Sequence, residues 1–296
     1  MSVLLTGSAG FIGRAVMNAL LKADYHVTAL VDSQEDALAA QAAGAETFFA
    51  SEEDTRTVSE LALESNGVIH TATAPGEDAD FIKAIIPGLL TSDKPFVYTG
   101  SLWTYGSNLN ITEKSPQVSV PAIAWMIEMQ KYLMGELSTR TIVVAPGIVY
   151  GHGQGIPRHF VDDVDRTGPT PVLPLIGDGS QHWATVHVDD LADLYVRIIG
   201  EESHTNEVYI ATSEANETVA DLTSAAAATM NATVKTENSE ATAKRFGPAL
   251  AALLLLDQHA ASDRARERLG WKTAHPSLMD ELKAGYLHVP DDALWE

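Results

Sequence analysis

The chain has 296 residues, no cysteine, 45% hydrophobic residues and a formal net charge of -21. That length can bury a substantial core, as one large domain or two coupled ones. The charge argues against nucleic acid and anionic membrane surfaces as partners, and the missing thiols exclude disulfides, thiolate nucleophiles and zinc–thiolate sites.

The first apolar run, Val3-Leu4-Leu5, reads as a strand, with no basic and apolar signal-type segment before it, so the cytoplasm is the expected location. Thr6-Gly7-Ser8-Ala9-Gly10-Phe11-Ile12-Gly13 follows and opens a helical pattern through Val16, Leu20 and Leu21. Strand, glycine-rich turn and helix form the context of a dinucleotide-binding fingerprint. Gly7 permits the tight turn, Gly10 lets the backbone approach a pyrophosphate, and Gly13 lets helix and strand pack closely. The free amides at the start of the helix then face the phosphates. The spacing Gly-x-x-Gly-x-x-Gly and the ending Phe11-Ile12-Gly13 resemble the extended short-chain dehydrogenase/reductases, the NAD-dependent epimerase/dehydratase family. The resemblance implies a doubly wound parallel α/β sheet, a nicotinamide dinucleotide and a small-molecule substrate.

Tyr25 to Val31 is a second strand ending at Asp32. An acid there accepts hydrogen bonds from the adenosine ribose and repels a 2′-phosphate, which favours NAD over NADP. The alternative is that Asp32 only caps the helix beginning near Gln34. Gln34 to Ala43 reads as a helix stopped by Gly44, and Glu46 to Ala50 as a third strand. Ser51 then stands where the family usually has an adenine-contacting Asp. Thr57 to Glu64 is helical. Gly67 to Ala72 resembles the family's fourth strand, which carries Ala72 and Thr73 along the cofactor. His70 within it is expected to be a hydrogen-bonded core residue.

Asp80 to Leu90 reads as a helix and Pro95 to Thr99 as a fifth strand, with Thr99 expected beside the cofactor. Gly100-Ser101-Leu102-Trp103-Thr104-Tyr105-Gly106 resembles the family's Ser-Ser-x-x-Val-Tyr-Gly. That places Ser101 at the family's catalytic Ser/Thr position, where a hydroxyl binds the reacting oxygen. Trp103 and Tyr105 are expected on the substrate side.

The next helix, about Pro121 to Glu136, departs from the family. It holds no Tyr-x-x-x-Lys. A phenol with its ordinary pKa of about 10 is a poor base near neutrality, and the family's Lys corrects this. If Glu128 aligns with the family's Glu, Val120 and Ala124 occupy the Tyr and Lys positions. Candidate substitutes are Tyr105, Tyr150 and His182.

Thr141 to Gly151 resembles the family's strand followed by Arg-Pro-x-x-Val-Tyr-Gly, with Ala145 in place of the Arg and the turn from Pro146 to Val149 against the nicotinamide. A helix is expected at 157–166. Gly177 to Trp183 resembles a substrate-facing turn and strand carrying His182 and Trp183, and Thr185 to Ala192 resembles Val-His-Val-x-Asp-Leu-Ala. His187 and Asp189 read as capping and local hydrogen bonding, and no metal ligand set is expected. Glu207 to Thr212 is a late strand, and Thr218 opens a helix. Ala249 to Leu256 is the longest apolar run, short of the ~20 residues a bilayer needs. Ser262 to Trp271 resembles the family's closing Ser-x-x-Ala-x-x-x-Leu-Gly-Trp, and a last helix runs from Ser277 to Gly285.

The expected organisation is a dinucleotide-binding region at 1–150, to which 186–212 returns, and a substrate-side region from 151–185 and 213–296. The resemblance implies an NAD-dependent oxidoreductase or epimerase-like enzyme acting on a small carbonyl, alcohol or sugar-derived substrate. A dinucleotide-sensing regulator without turnover is the alternative favoured by the missing Tyr and Lys. A sugar-nucleotide relative would need phosphate-binding bases, for which Arg158, Arg166 and Arg264 are available. A homodimer is expected by analogy with the superfamily.

Overall fold

The computed structural model describes residues 1–50, 54–71, 77–90, 93–135, 140–201 and 206–286. Seven strands form one parallel sheet: β1 (Ser2–Thr6), β2 (His26–Val31), β3 (Glu46–Phe49), β4 (Gly67–His70), β5 (Pro95–Thr99), β6 (Arg140–Pro146) and β7 (Glu207–Ala211). Their spatial order is β3-β2-β1-β4-β5-β6-β7. Leu5 registers with Ala29 on one side and Ile69 on the other. The connections therefore leave β1 in opposite directions, and a crevice opens at the carboxyl ends of β1 and β4.

Side chains alternate across a strand, so a sheet covered on both faces needs apolar residues at every position. Val3 and Leu5 enter one core with Val16, Leu20, Leu191 and Tyr195. Leu4 enters the other with Val68, Phe96, Tyr98 and Ile210. The first core lies under helices α1 (Phe11–Lys22) and α6 (Val188–Gly200), which pack on each other. The second lies under α3 (Thr55–Glu64) and α4 (Glu77–Leu89), likewise paired. Of the helices that connect the sheet, α2 (Gln34–Ala43) and α5 (Ala124–Gly135) complete the set. Each fully buried leucine contributes roughly 1.5–3 kcal/mol relative to exposure.

The strand expected from Thr141 ends at Pro146, and the segment after it forms a second strand, Ile148–Gly151. Pro146 has no N–H to continue the ladder, and the amide of Ile148 instead donates to Ala184 O at 2.8 Å. Ile148–Gly151 then pairs with Thr185–His187 in a separate sheet. The expected helix at 157–166 shrinks to His159–Asp162. Beyond its end, Asp165 accepts from the amide of Thr167 at 2.9 Å, an Asx turn. A third core gathers Tyr150, Phe160, Trp183, Leu222, Leu254 and Leu278. Thr218 and Asp221 form a capping box on the helix Val219–Thr229. Asn108–Ile111 and Gln258–Ala260 pair as short parallel strands that the sequence pattern did not announce. Among the described residues, no helix is long and apolar enough to cross a membrane.

Candidate functional site

The glycine turn is built from backbone. Gly7 has φ 72°, in the left-handed region that favours glycine, and its carbonyl accepts from the amide of Gly10 at 3.0 Å. Gly10 is the N-cap of α1 and offers no side-chain cap, and the first turn holds no acidic residue. The amides there stay open to an anion. A Cβ on Gly13 would lie 2.0 Å from Gly7 O and 2.7 Å from Thr71 Oγ1. Thr71 Oγ1 donates to Thr6 O at 2.8 Å and ties the end of β4 to the turn. Ser8 Oγ donates to Leu30 O at 3.2 Å and ties β2 to it as well. These residues fit a dinucleotide pyrophosphate, because the cradle is one that side chains would fill.

Asp32 is exposed just beyond β2. It is not the cap of α2. Ser33 caps that helix, its hydroxyl accepting from the amide of Asp36 at 3.1 Å. Ser51, Ala72 and Thr73, also expected at the cofactor, lie outside the described residues. His70 is fully buried, 2.6 Å from Thr6 Oγ1 through its Nδ1 and stacked on Tyr98.

A cavity of about 400 Å³ opens beside the turn. Phe11 and Ile12 line it from α1, Thr99, Gly100 and Ser101 from the end of β5, and Pro146 and Val149 from beyond β6. Trp103, Ile123, Trp125, Met126 and Ile156 complete an apolar wall. Ser101 is half-buried; its hydroxyl accepts from the amide of Trp103 at 3.2 Å, which leaves its own proton free to donate. Thr99 Oγ1 donates to His70 O at 2.8 Å. None of the described lining residues carries a titratable side chain.

The helical wall resolves the register of α5. Glu128 is turned to solvent and paired with Lys131 at 2.9 Å, so it does not mark a position facing the cofactor. The cavity-facing residues four apart are Ala122 and Met126, and Gln130, the next at that spacing, is buried and accepts from Gln117 Nε2 at 2.9 Å. Val120 and Ala124 are not among the residues that line this cavity, whereas Ala122 and Met126 are. Neither transfers protons.

Four residues expected on the substrate side lie elsewhere. Tyr105 is 3% exposed in the second core. Burial, reinforced by Glu113, pushes its phenol up to about 12. Tyr150 is buried, donates to Pro276 O at 2.7 Å and is pushed upward by burial and by Glu281. Trp183 is buried with Nε1 donating to Leu254 O at 3.0 Å. His182 Nδ1 is 2.8 Å from Asp257 Oδ1. Both phenols are shifted away from what a proton donor near neutrality needs, and none of the four lines the cavity. Arg158, Arg166 and Arg264 also stay out of it. Arg158 binds Asp162 and Arg264 donates to Val208 O, while Arg166 points to Val164 O and Met230.

A family model described as NAD(P)H-binding matches residues 7–202, across the glycine turn, the strand ends and α6. The chain belongs to this NAD(P)H-binding family. An uncharacterized protein of Schizosaccharomyces pombe is 29% identical over 95% of this chain and 98% of its own length. Among solved structures, a UDP-glucose-4-epimerase from Stenotrophomonas maltophila with bound NAD aligns with a TM-score of 0.75 at 14% identity, covering 97% of each chain. A human epimerase family protein with NADPH aligns with a TM-score of 0.75 at 20% identity over 97% of this chain and 99% of that one. At these identities the likeness is one of fold: the seven-stranded parallel sheet flanked by helices is that of the epimerase/dehydratase enzymes.

Proposed function

We propose that this member of the family is an NAD-dependent oxidoreductase for a small, uncharged carbonyl or alcohol with an apolar body. The observation that carries the reading is the cavity that joins the Phe11–Ile12 face of α1 to the hydroxyl of Ser101, walled by Trp103, Ile123, Met126 and Ile156. The bound dinucleotide would supply or accept hydride. Ser101 donates a hydrogen bond to the reacting oxygen, and the apolar wall excludes charged substrates, since a buried unpaired charge is costly. With no titratable group among the described lining residues, water carries the proton. Trp125 Nε1, buried with no hydrogen-bond partner, is a second donor that a small shift of the indole offers to a substrate oxygen. Asp32 selects NAD by repelling a 2′-phosphate. A nucleotide-sugar substrate is disfavoured, because the three arginines that could hold its diphosphate are engaged away from the cavity. A cytoplasmic location and a homodimer accompany this reading.

The same lack of titratable lining favours a second reading, a dinucleotide sensor without turnover. Titration with NADH and NADPH, followed by thermal stability, and then an aldehyde and ketone panel, separates the two. The enzyme reading expects NADH binding, turnover of an apolar carbonyl, and a loss of about 10²-fold in kcat for Ser101→Ala with the NADH Kd unchanged. NADH binding with no turnover across the panel supports the sensor. Equal activity in Ser101→Ala removes that residue from the mechanism.

A further inference from the structure

A cluster of histidines and carboxylates lies apart from the cavity, at the start of α6. Asp189 Oδ2 is its centre. His152 Nε2 lies 2.9 Å from it, His187 Nδ1 3.7 Å and His275 Nε2 3.6 Å. Ligand atoms around a tetrahedral Zn²⁺ with bonds of about 2.0–2.1 Å sit about 3.3–3.4 Å apart, so these separations bracket that geometry. The ligand atoms of His152, His187 and Asp189 all fall within 4.8 Å of one another.

The surroundings are those that orient imidazole ligands. His187 is 4% exposed, and its Nδ1 accepts from the amide of Asp189 at 3.2 Å. That lone pair puts the ring proton on Nε2, which lies 3.1 Å from Glu281 Oε1. His275 stacks flat on His187 with centroids 4.4 Å apart. Its Nδ1 is 2.7 Å from Asp190 Oδ1, a carboxylate buried to 3% exposure and fixed by the amide of Ala274 at 2.9 Å. Carboxylates behind both rings turn the other nitrogen of each toward Asp189, as in carboxylate–histidine–metal arrangements. A hollow of about 230 Å³ lined by His152, His187, Glu281 and Tyr286 reaches the cluster from outside.

We propose that His152, His187 and Asp189 bind a divalent cation, with zinc(II) the ion that two imidazoles and one carboxylate suit best. Water or His275 completes the coordination. The charge balance favours it: Asp189, Asp190 and Glu281 bring three carboxylates to the cluster, which outweighs the half-positive end of α6. On binding, His187 Nδ1 gives its lone pair to the ion and releases the amide of Asp189, one of the first-turn amides of α6 that water can satisfy. The ion would clip the 151–153 turn to α6 and, through Glu281, to the helix Leu278–Lys283. Because Gly155 and Ile156 of the same excursion line the cavity, the clip would hold the substrate wall in place without touching the reaction. The sequence expectation of capping alone saw His187 and Asp189; His152 reaches them only through the fold.

The test titrates EDTA-treated full-length protein with Zn²⁺ by calorimetry and with Co²⁺ by visible absorption. The expected result is one equivalent of Zn²⁺, a tetrahedral Co²⁺ spectrum, and a melting temperature raised by Zn²⁺. His152→Asn should weaken Zn²⁺ binding at least tenfold and abolish the thermal shift. It sits in a half-buried turn with φ 53°, a conformation asparagine accepts, so the variant is expected to fold. His182→Asn, at a His–Asp pair remote from the cluster, should bind Zn²⁺ as the wild type does. Uptake only at millimolar Zn²⁺, or equal affinity in His152→Asn, overturns the proposal and leaves the cluster a closed network of ion pairs.

Discussion

The glycine turn and the helical wall across the cavity from it make opposite use of side chains. At the turn, function rests on backbone amides and on space kept free of Cβ atoms. Few residues can serve there, and the chain retains them: Gly7, Gly10 and Gly13 stand at the spacing the fold requires. At the wall, function rests on whatever side chain the helix presents. Ala122 and Met126 face the cavity and carry neither an acid nor a base. A backbone site tolerates little substitution. A side-chain site can exchange its chemistry without cost to the fold. Binding of the dinucleotide and the identity of the proton source are therefore separable properties of this molecule.

The largest effect that would break this contrast lies at Gly13. Valine there must displace Gly7 O, which would stand 2.0 Å from the new Cβ. Overpacking of this kind costs about 1–3 kcal/mol or more. Both thermal stability and NADH affinity should fall. Met126→Val, across the cavity, should leave the NADH Kd within about twofold. If Gly13→Val kept wild-type stability and affinity, the turn would not be the close-packed cradle described above.

A smaller effect sharpens the contrast at Asp32, the exposed side chain proposed to choose between the cofactors. Since Ser33 carries the cap of α2, Asp32→Arg should leave the helix intact. The ratio of NADPH to NADH affinity should rise at least tenfold, about 1.4 kcal/mol, as repulsion of a 2′-phosphate becomes attraction. Paired fluorescence titrations measure it. An unchanged ratio would mean that Asp32 has no part in choosing the cofactor.

The two regions also differ in how far they could be read from sequence. Period and punctuation located the strands of the main sheet, because strands buried on both faces show as unbroken apolar runs and glycine turns break them. The glycine turn was legible for the same reason: its chemistry is local and contiguous. Ser101 could be placed by its strand-end motif. Tyr105, Tyr150 and Trp183 could not. Each follows a motif that brings the backbone near the cavity, but one-residue alternation decides which side chain turns inward, and in all three the polar atom is used within the protein or buried. The break after Pro146 and the pairing of Asn108–Ile111 with Gln258–Ala260 depend on contacts remote in sequence. His152, the His187–Asp189 pair and His275 likewise come from three separate segments, and no spacing announces the set.

Tyr150 offers the finest test of the division between scaffold and reaction. Its position after the Pro146–Val149 turn suits a proton donor, whereas its hydroxyl is committed to Pro276 O at 2.7 Å with the ring edge-on to His187. Phenylalanine keeps the ring and removes only that hydrogen bond, worth about 0.5–1.5 kcal/mol net. The exposed carbonyl of a proline can turn to water, which places the expected loss at the low end of that range. Tyr150→Phe should therefore lower the midpoint of chemical unfolding slightly, with kcat, KM and their pH profiles unchanged. A tenfold fall in kcat at unaltered stability would make the phenol part of the proton path. The wall would then have exchanged its acid for one in the neighbouring sheet, rather than leaving the proton to water.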